Sequence, residues 1–351
     1  MTRIQLLVTY KGAAFLGFGA LLKPNEEDPS HFLKQASSAA SGASEASARC
    51  SELVKSGSWP SVQNVLEMAL RLYLPHGLST GVIVGSSRTD AGVCFPHPSF
   101  LHSFIHSFTH TLSLFFFVLV FFFFFKVHAE SNSCHFDMRT DRFQGEEQIV
   151  RALNQKLTLL HPHSICQCLS VIAARRRPFD SWHARHSATG RSYRYQLAIA
   201  PAGRRAHPLG AETHWFPHAR EEWRLDAVRE AAAMLVGTHD FSAFRGGGCQ
   251  AATPVRTLRE ARVEEASVPH WGRVMEEAEG RQCVAAVHMR FVGSAFLYHQ
   301  VRNMVGVLNE VGIGRMSVAG FGAFMEARRR AALPVIAPPQ GLFLERVLYD
   351  G

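Results

Sequence analysis

Cysteine is sparse in this chain, and its seven cysteines lie far apart. They form no CxxC pair, which argues against a structural zinc site. Their odd number and wide spacing also argue against a disulfide framework and fit a reducing compartment, with mitochondrion and cytoplasm both left open. The seven are Cys50, Cys94, Cys134, Cys166, Cys168, Cys249 and Cys283.

Charged residues are also few, at 19% of 351 residues, whereas apolar residues make up 47%. This balance excludes a chain that is disordered throughout, and the length suffices for two ordinary domains. Lys and Arg total 37 against 29 Asp and Glu, a net charge of +8. A basic balance favours a polyanionic partner such as nucleic acid, although many basic proteins bind none.

Two segments differ from the rest of the chain. The first covers about residues 20–59, where Gln35–Arg49 reads QASSAASGASEASAR. Small and polar residues dominate it without an apolar period, which predicts a low-complexity loop insertion. A short Ala-rich helix is the alternative.

The second segment has no Asp, Glu, Lys or Arg from Phe95 to Phe125 and ends in LSLFFFVLVFFFFF. It is long enough to span a membrane, but its densest apolar part is shorter than the usual ~18 residues. When residues 93–126 are removed, the join reads RTDAG–VHAE, a smooth strand–turn–strand passage. A membrane helix and a natural insertion are two explanations.

The genetic code offers a third explanation. Every Val codon begins with GT, one Lys codon ends in AG, and a run of Phe codons is a pyrimidine tract. These are the marks of an intron's start, its 3′ tract and its end. We therefore interpret residues 93–126 as a retained intron of a eukaryotic gene, translated in frame.

The remaining pattern predicts an α+β protein with two halves, residues 1–178 and 179–351, facing each other across a cleft. Strands are expected at Ile4–Tyr10, Gly81–Ser86, Asn132–Met138, Ser164–Ala174, Ser192–Ile199, Arg256–Glu264 and Cys283–Val292. Helices are expected at Ser61–Leu74, Gly145–Lys156, Leu225–Leu235, Leu297–Val311 and Val318–Arg330.

The first candidate for chemistry is the turn GSSRTDAG, Gly85–Gly92, which follows a predicted strand. Such a turn can hold the Asp90 carboxylate at the mouth of a sheet. Taken alone, Asp90 could equally be an Asx-turn residue or a helix N-cap.

Basic and aromatic residues interleave in the second candidate, Ser181–Leu197. Tyr193 and Tyr195 fall on one face of a strand and Arg194 on the other. This pattern suits phosphate contacts with base stacking, and equally an ordinary exposed strand.

The third candidate, Gly237–Arg259, contains three successive glycines, a weak signal without a Walker or dinucleotide pattern. His239–Phe241 is predicted to be a helix end that turns into a loop.

In the fourth candidate, Ala295–Gly314, Arg302 lies within an apolar helical pattern. If buried, Arg302 needs a carboxylate partner; if its stem snorkels, it lies at the surface.

With 93–126 removed, SSRTDAGVHA resembles the signature of the TruA-type tRNA pseudouridine synthases. HARHSATGRSYRY, GTHDFSAFR, PVRTL and FLYHQVRNMVG follow in that family's order, and GLFLERVLY resembles its closing strand. The resemblance covers most of the chain outside the two unusual segments. The eukaryotic tRNA pseudouridine synthase-like branch is especially similar.

The resemblance implies two ferredoxin-like halves around a mainly antiparallel sheet, and a homodimer that isomerises uridine to pseudouridine in tRNA, in the anticodon stem-loop region. Asp90 matches the catalytic aspartate, and Arg302 the arginine that pairs with it. Tyr193 matches the tyrosine that stacks on the target base, and Arg88 is expected to hold the RNA. No cofactor or metal is implied, and genuine membrane insertion is not expected.

The chain departs from the family at residue 93, three residues after Asp90. As written, the active-site turn therefore carries a 34-residue apolar extension. A noncatalytic RNA-binding relative and an isoform inactivated by the insert remain the alternatives.

Overall fold

A computed structural model describes residues 1–12, 15, 18, 61–74, 83–87, 127–160, 168–199, 208–217, 223–279, 285–330 and 333–350. The expectations for residues 20–59 and 93–126 therefore lie outside the described residues. Within these ranges nine strands form one sheet, in the order β4-β1-β3-β9-β5-β8-β7-β6, with β2 beside β3. The strands pair antiparallel except β3 with β9, which pair in parallel.

The N-terminal half follows the order β-α-β-β-α-β, and its strands lie in the order β4-β1-β3-β2. This is the split βαβ arrangement of ferredoxin-like folds. Its elements are β1 Thr2–Tyr10, α1 Val62–Tyr73, β2 Val84–Gly85, β3 His128–Met138, α2 Glu146–Leu160 and β4 Leu169–Arg177.

The C-terminal half repeats this plan with additions. Strands β5, β7, β8 and β9 and helices α4 and α6 occupy the corresponding places, since the strand order is β9-β5-β8-β7. Its strands are β5 Ala188–Ile199, β6 Gly237–Asp240, β7 Val255–Ala266, β8 Ala285–Gly293 and β9 Leu342–Tyr349. Its helices are α3 Pro208–Ala211, α4 Leu225–Ala233, α5 His270–Glu279, α6 Gln300–Gly312 and α7 Val318–Ala327.

Each half has its own hydrophobic core, built from alternating strand residues and one face of its helices. In β1, Ile4, Leu6 and Val8 are fully buried, as the period of two requires for a strand with one covered face. The half-buried Tyr193 of β5 packs against both cores. The two halves of the sheet join at the parallel β3–β9 pair, and Tyr193 lies on the next strand, where it contacts both cores.

These elements confirm the predicted α+β class and its mainly antiparallel sheet. Two expectations were wrong in detail, and two helices were not expected. Gly237–Asp240 is an edge strand, followed by a 3₁₀ turn at Ser242–Phe244, rather than a helix end. Strand β2 is shorter than expected within the described residues, and helices α3 and α5 were not predicted. The division at residue 178 stays a prediction.

Candidate active site

One face of β5 carries Arg191, Tyr193 and Tyr195 in succession, because alternate residues of a strand share a face. Tyr195 is fully buried and donates to the Pro338 carbonyl oxygen at 2.6 Å. Tyr193 meets the Phe296 ring edge-on, at 5.1 Å between centroids. Arg194 points to the opposite face, where it pairs with Glu130 and Glu345. The predicted facing of this strand is confirmed.

Arg191 binds the segment Ser86–Ser87, which follows β2 in the N-terminal half. The Arg191 guanidinium donates from Nη2 to the Ser86 carbonyl oxygen at 3.0 Å and from Nε to Ser87 Oγ at 3.3 Å. Its Nη1 donates to the Ser294 carbonyl oxygen at 3.3 Å, just after β8. Arg191 thus joins the segment that leads into Arg88–Asp90 to two strands of the C-terminal half.

The N-terminal half holds the same segment from its other side. Ser86 donates its backbone N–H to the Ser133 carbonyl oxygen at 2.8 Å and its hydroxyl to Asn132 Oδ1 at 3.0 Å. The Asn132 side-chain amide donates to the Ser87 carbonyl oxygen at 3.3 Å and to the Tyr10 hydroxyl at 3.2 Å. Because Asn132 and Ser86 are buried, these bonds fix the segment firmly.

Arg302 lies in the first turn of α6 and is 9% exposed, so the surface alternative for it is wrong. Its Nε donates to the Ala337 carbonyl oxygen at 2.8 Å, and Ala337 donates its N–H to the Arg302 carbonyl oxygen at 3.2 Å. Burial raises the pKa of the Tyr195 hydroxyl well above its usual value, and the positive charge of Arg302 opposes that rise. Arg302 therefore lies near the Tyr195 end of the β5 face.

His299 immediately precedes α6 and orients Arg302. The Arg302 Nη1 atom donates to His299 Nε2 at 3.3 Å, so His299 is neutral and carries its proton on Nδ1. Burial, reinforced by Arg302, lowers the His299 pKa to about 4. His299 has a left-handed backbone with φ of 59°, which is uncommon for a residue with a side chain and typical of functional sites.

The third sequence motif packs against this same turn. Gly246 donates its N–H to the Tyr298 carbonyl oxygen at 2.8 Å, and a side chain at Gly246 would clash with that oxygen. Asn303 donates to the Phe244 carbonyl oxygen at 2.8 Å. The glycine-rich loop therefore supports the start of α6, where Arg302 lies.

Of the four predicted site residues, Tyr193 and Arg302 are described, and Asp90 and Arg88 lie outside the described residues. Sequence reasoning did not single out Arg191 or His299. The signal for Arg191 was its place two residues before Tyr193, on the same strand face. The signal for His299 was its place one turn before Arg302.

Comparison with known proteins gives the chain its family. A family model described as tRNA pseudouridine synthase matches residues 231–350. A tRNA pseudouridine synthase A from Caulobacter is 38% identical over 226 residues, covering 64% of this chain and 78% of the relative. The chain belongs to the TruA-type tRNA pseudouridine synthase family.

Bacterial and mammalian relatives both match. A tRNA pseudouridine synthase A from Neisseria gonorrhoeae is 36% identical over 225 residues, covering 64% of this chain and 72% of the relative. A mouse tRNA pseudouridine synthase-like 1 is 36% identical over 229 residues, covering 64% of this chain and 75% of the relative. Members of this family are isomerases.

In the described ranges no helix has the length and apolar character that crossing a bilayer requires. No three His, Cys, Asp or Glu side chains come together there in a way that could hold a metal ion.

Proposed function

We propose that this chain isomerises uridine to pseudouridine in tRNA, in the anticodon stem-loop region, with Asp90 as the catalytic carboxylate. The reaction breaks the N1–C1′ glycosidic bond and joins C1′ to C5 of the same uracil. The C5 proton leaves and N1 gains one, so atoms and charge balance without a cofactor. Asp90 acts as nucleophile or as base on the ribose, and either role needs it ionised.

The observation that carries this proposal is the convergence on one face of β5. Arg191 binds the Ser86–Ser87 segment, Tyr193 follows at the junction of the two cores, and Tyr195 lies towards Arg302. Asp90 follows Ser87 by three residues, a chain length of at most about 11 Å. The Asp90 carboxylate is therefore within reach of this face.

Arg302 has the properties that a partner for an ionised Asp90 requires. It is buried, and its backbone and Nε are held by Ala337. A buried guanidinium strongly favours the charged form of a nearby carboxylate, so Arg302 beside Asp90 would keep that carboxylate ionised. An arginine also keeps its own charge at any working pH.

Tyr193 and Arg88 are proposed to bind the RNA. The target uridine must leave its stack before Asp90 can reach it. The Tyr193 ring is braced edge-on by Phe296, so it offers a rigid surface on which a flipped base can stack. Arg88, two residues before Asp90, is proposed to bind an RNA backbone phosphate or to keep open the position in the stack that the flipped uridine has left. A homodimer is proposed to let one tRNA contact both subunits.

We also propose that residues 93–126 are a translated intron. Ser87 lies beside Asn132, and Val127 precedes Asn132 by five residues, or about 17 Å of strand. Residues 88–92 can extend across about 20 Å, so the chain can pass from Ser87 to Val127 without the insert. Sequencing the mature transcript across Gly92–Val127 tests this; a transcript that keeps those codons contradicts it.

A tritium-release assay on tRNA labelled as [5-³H]uridine tests the activity. It is run on the full chain and on the chain lacking 93–126. We expect release from the shortened chain, which should also be more soluble, and much less from the full chain. If neither form releases tritium while both bind tRNA, the chain is a noncatalytic RNA-binding relative.

A further inference from the structure

Arg191 connects the Ser86–Ser87 segment, which leads into Asp90, to the C-terminal half of the protein. Its guanidinium donates to Ser86, Ser87 and Ser294, which directly follow β2 and β8. Two of the acceptors are backbone carbonyl oxygens, so the contacts fix main chain rather than a mobile side chain. A guanidinium can serve three acceptors at once because its five N–H groups form a rigid fork.

We propose that Arg191 is a positioning residue that sets the distance between the Asp90 turn and Tyr193. This inference rests on the proposed function. Tyr193 follows Arg191 by two residues on the same strand, a rise of about 7 Å. Strand β5 therefore holds both Tyr193 and, through Arg191, the Ser86–Ser87 segment that leads into Asp90. Without Arg191, the segment would keep only its contacts with Asn132 and Ser133 of the N-terminal half and the hydrogen bond between the Tyr349 hydroxyl of β9 and the Ser86 side chain.

A direct contact with tRNA phosphate is the competing role for Arg191. The guanidinium is only partly buried, and its motif is rich in basic residues. However, all three of its nitrogens already donate to protein oxygens. A phosphate could use only the two remaining N–H groups of a guanidinium that these three bonds already hold in place, so the geometry favours positioning over RNA contact.

Arg194 offers a matched control on the same strand. It also joins the halves, through Glu130 of β3, and it also pairs with Glu345 of β9, but on the opposite sheet face. The variants Arg191→Met and Arg194→Met therefore remove the same charge and a comparable set of contacts. Both variants are expected to lower stability, but only Arg191→Met is expected to move the turn that carries Asp90.

The test measures three quantities for the parent, Arg191→Met, Arg191→Lys and Arg194→Met, with and without residues 93–126. They are the single-turnover rate at saturating tRNA, the tRNA affinity as a function of salt, and hydrogen exchange of residues 83–87. Arg191→Met should lower the single-turnover rate about 100-fold, the scale expected for a misplacement of about 1 Å. Arg191→Lys should fall between it and the parent, since one ammonium cannot replace the fork.

Affinity and exchange separate positioning from a merely structural role. We expect Arg191→Met to keep the tRNA affinity and its salt dependence. Hydrogen exchange of the Ser86 amide should be faster than in the parent, both in the full chain and in the chain lacking residues 93–126. Arg194→Met should leave that amide and the rate of the bound complex close to the parent's. Should Arg191→Met fail to fold, the Lys variant carries the same comparison.

Three results would overturn the proposal. One is a single-turnover rate unchanged in both Arg191 variants. Another is weaker tRNA binding with a salt slope reduced by about one unit, the mark of a lost phosphate contact. The third is an equal loss of rate in Arg194→Met. If the parent itself makes no pseudouridine in either form, the proposed function fails instead.

Discussion

Gly306 allows α6 to pack directly on the extended segment 333–338, and replacing it with alanine should disturb the Arg302 site. A methyl group built at Gly306 would lie 3.0 Å from the Val335 carbonyl carbon and closer still to its oxygen. Both partners are main chain, so neither can rotate away. Because carbon atoms prefer separations of about 3.5–4.0 Å, helix and segment must part by on the order of 1 Å.

This separation acts on the residue that binds Arg302. Ala337 lies two residues after Val335, and it exchanges two hydrogen bonds with Arg302, at 2.8 and 3.2 Å. Overpacking costs about 1–3 kcal/mol, and weakening one neutral and one charged hydrogen bond adds about 2 kcal/mol. Alanine regains about 1 kcal/mol in a helix. We expect Gly306→Ala to lower the free energy of unfolding by about 2–4 kcal/mol, summing these terms.

The assay compares Gly306→Ala with Gly322→Ala, a second helical glycine. A methyl group at Gly322 would meet only the flexible end of Met234, at 2.8 Å. Denaturant unfolding should show Gly322→Ala to be as stable as the parent or slightly more stable. Single-turnover pseudouridine formation should fall only in Gly306→Ala. Equal stability and equal rates in the two variants would refute the reasoning.

Two further predictions concern Tyr193 and His135. Tyr193→Phe should slow turnover more than it weakens tRNA binding, because the ring still stacks and keeps most of about 1–3 kcal/mol per base; an affinity that collapses with unchanged turnover of the bound complex contradicts this. Burial, reinforced by Arg3, lowers the His135 pKa to about 4, so the folded chain refuses a proton that the unfolded chain takes up near pH 6.5. Stability should therefore fall as pH drops from about 6.5 to 4, and His135→Gln should flatten that slope by about 1.4 kcal/mol per pH unit in thermal melts; identical slopes would show that His135 titrates normally.

Elements with a strong apolar period could be predicted from the sequence. In α1, Val62, Val65, Leu66 and Ala69 recur at helical spacing and are buried, and Ser61 caps the helix by accepting from the Asn64 N–H at 3.2 Å. By contrast, β6 has only four residues and draws its register from pairing with β7. Long-range pairing of this kind leaves little trace in local sequence. Helix α5 was missed because its charged residues obscure the apolar face around Trp271.

The candidate site was predictable in its types of residue and not in its connections. Arg302 was expected to be either buried or exposed, and only tertiary packing could decide between them. The Arg191 contacts join residues more than 100 positions apart, so no local pattern contains them. The αL conformation of His299 depends likewise on the packing around α6.

Asp90→Asn in the chain lacking residues 93–126 tests most directly whether Asp90 is the catalytic carboxylate. Asparagine is almost isosteric with aspartate and serves equally well as an N-cap or turn residue, so folding and tRNA binding should stay nearly intact. Tritium release from [5-³H]uridine tRNA should be abolished, because only the ionised oxygen is lost. Pseudouridine formation at the parent's rate would contradict the account and leave Asp90 as a structural turn residue.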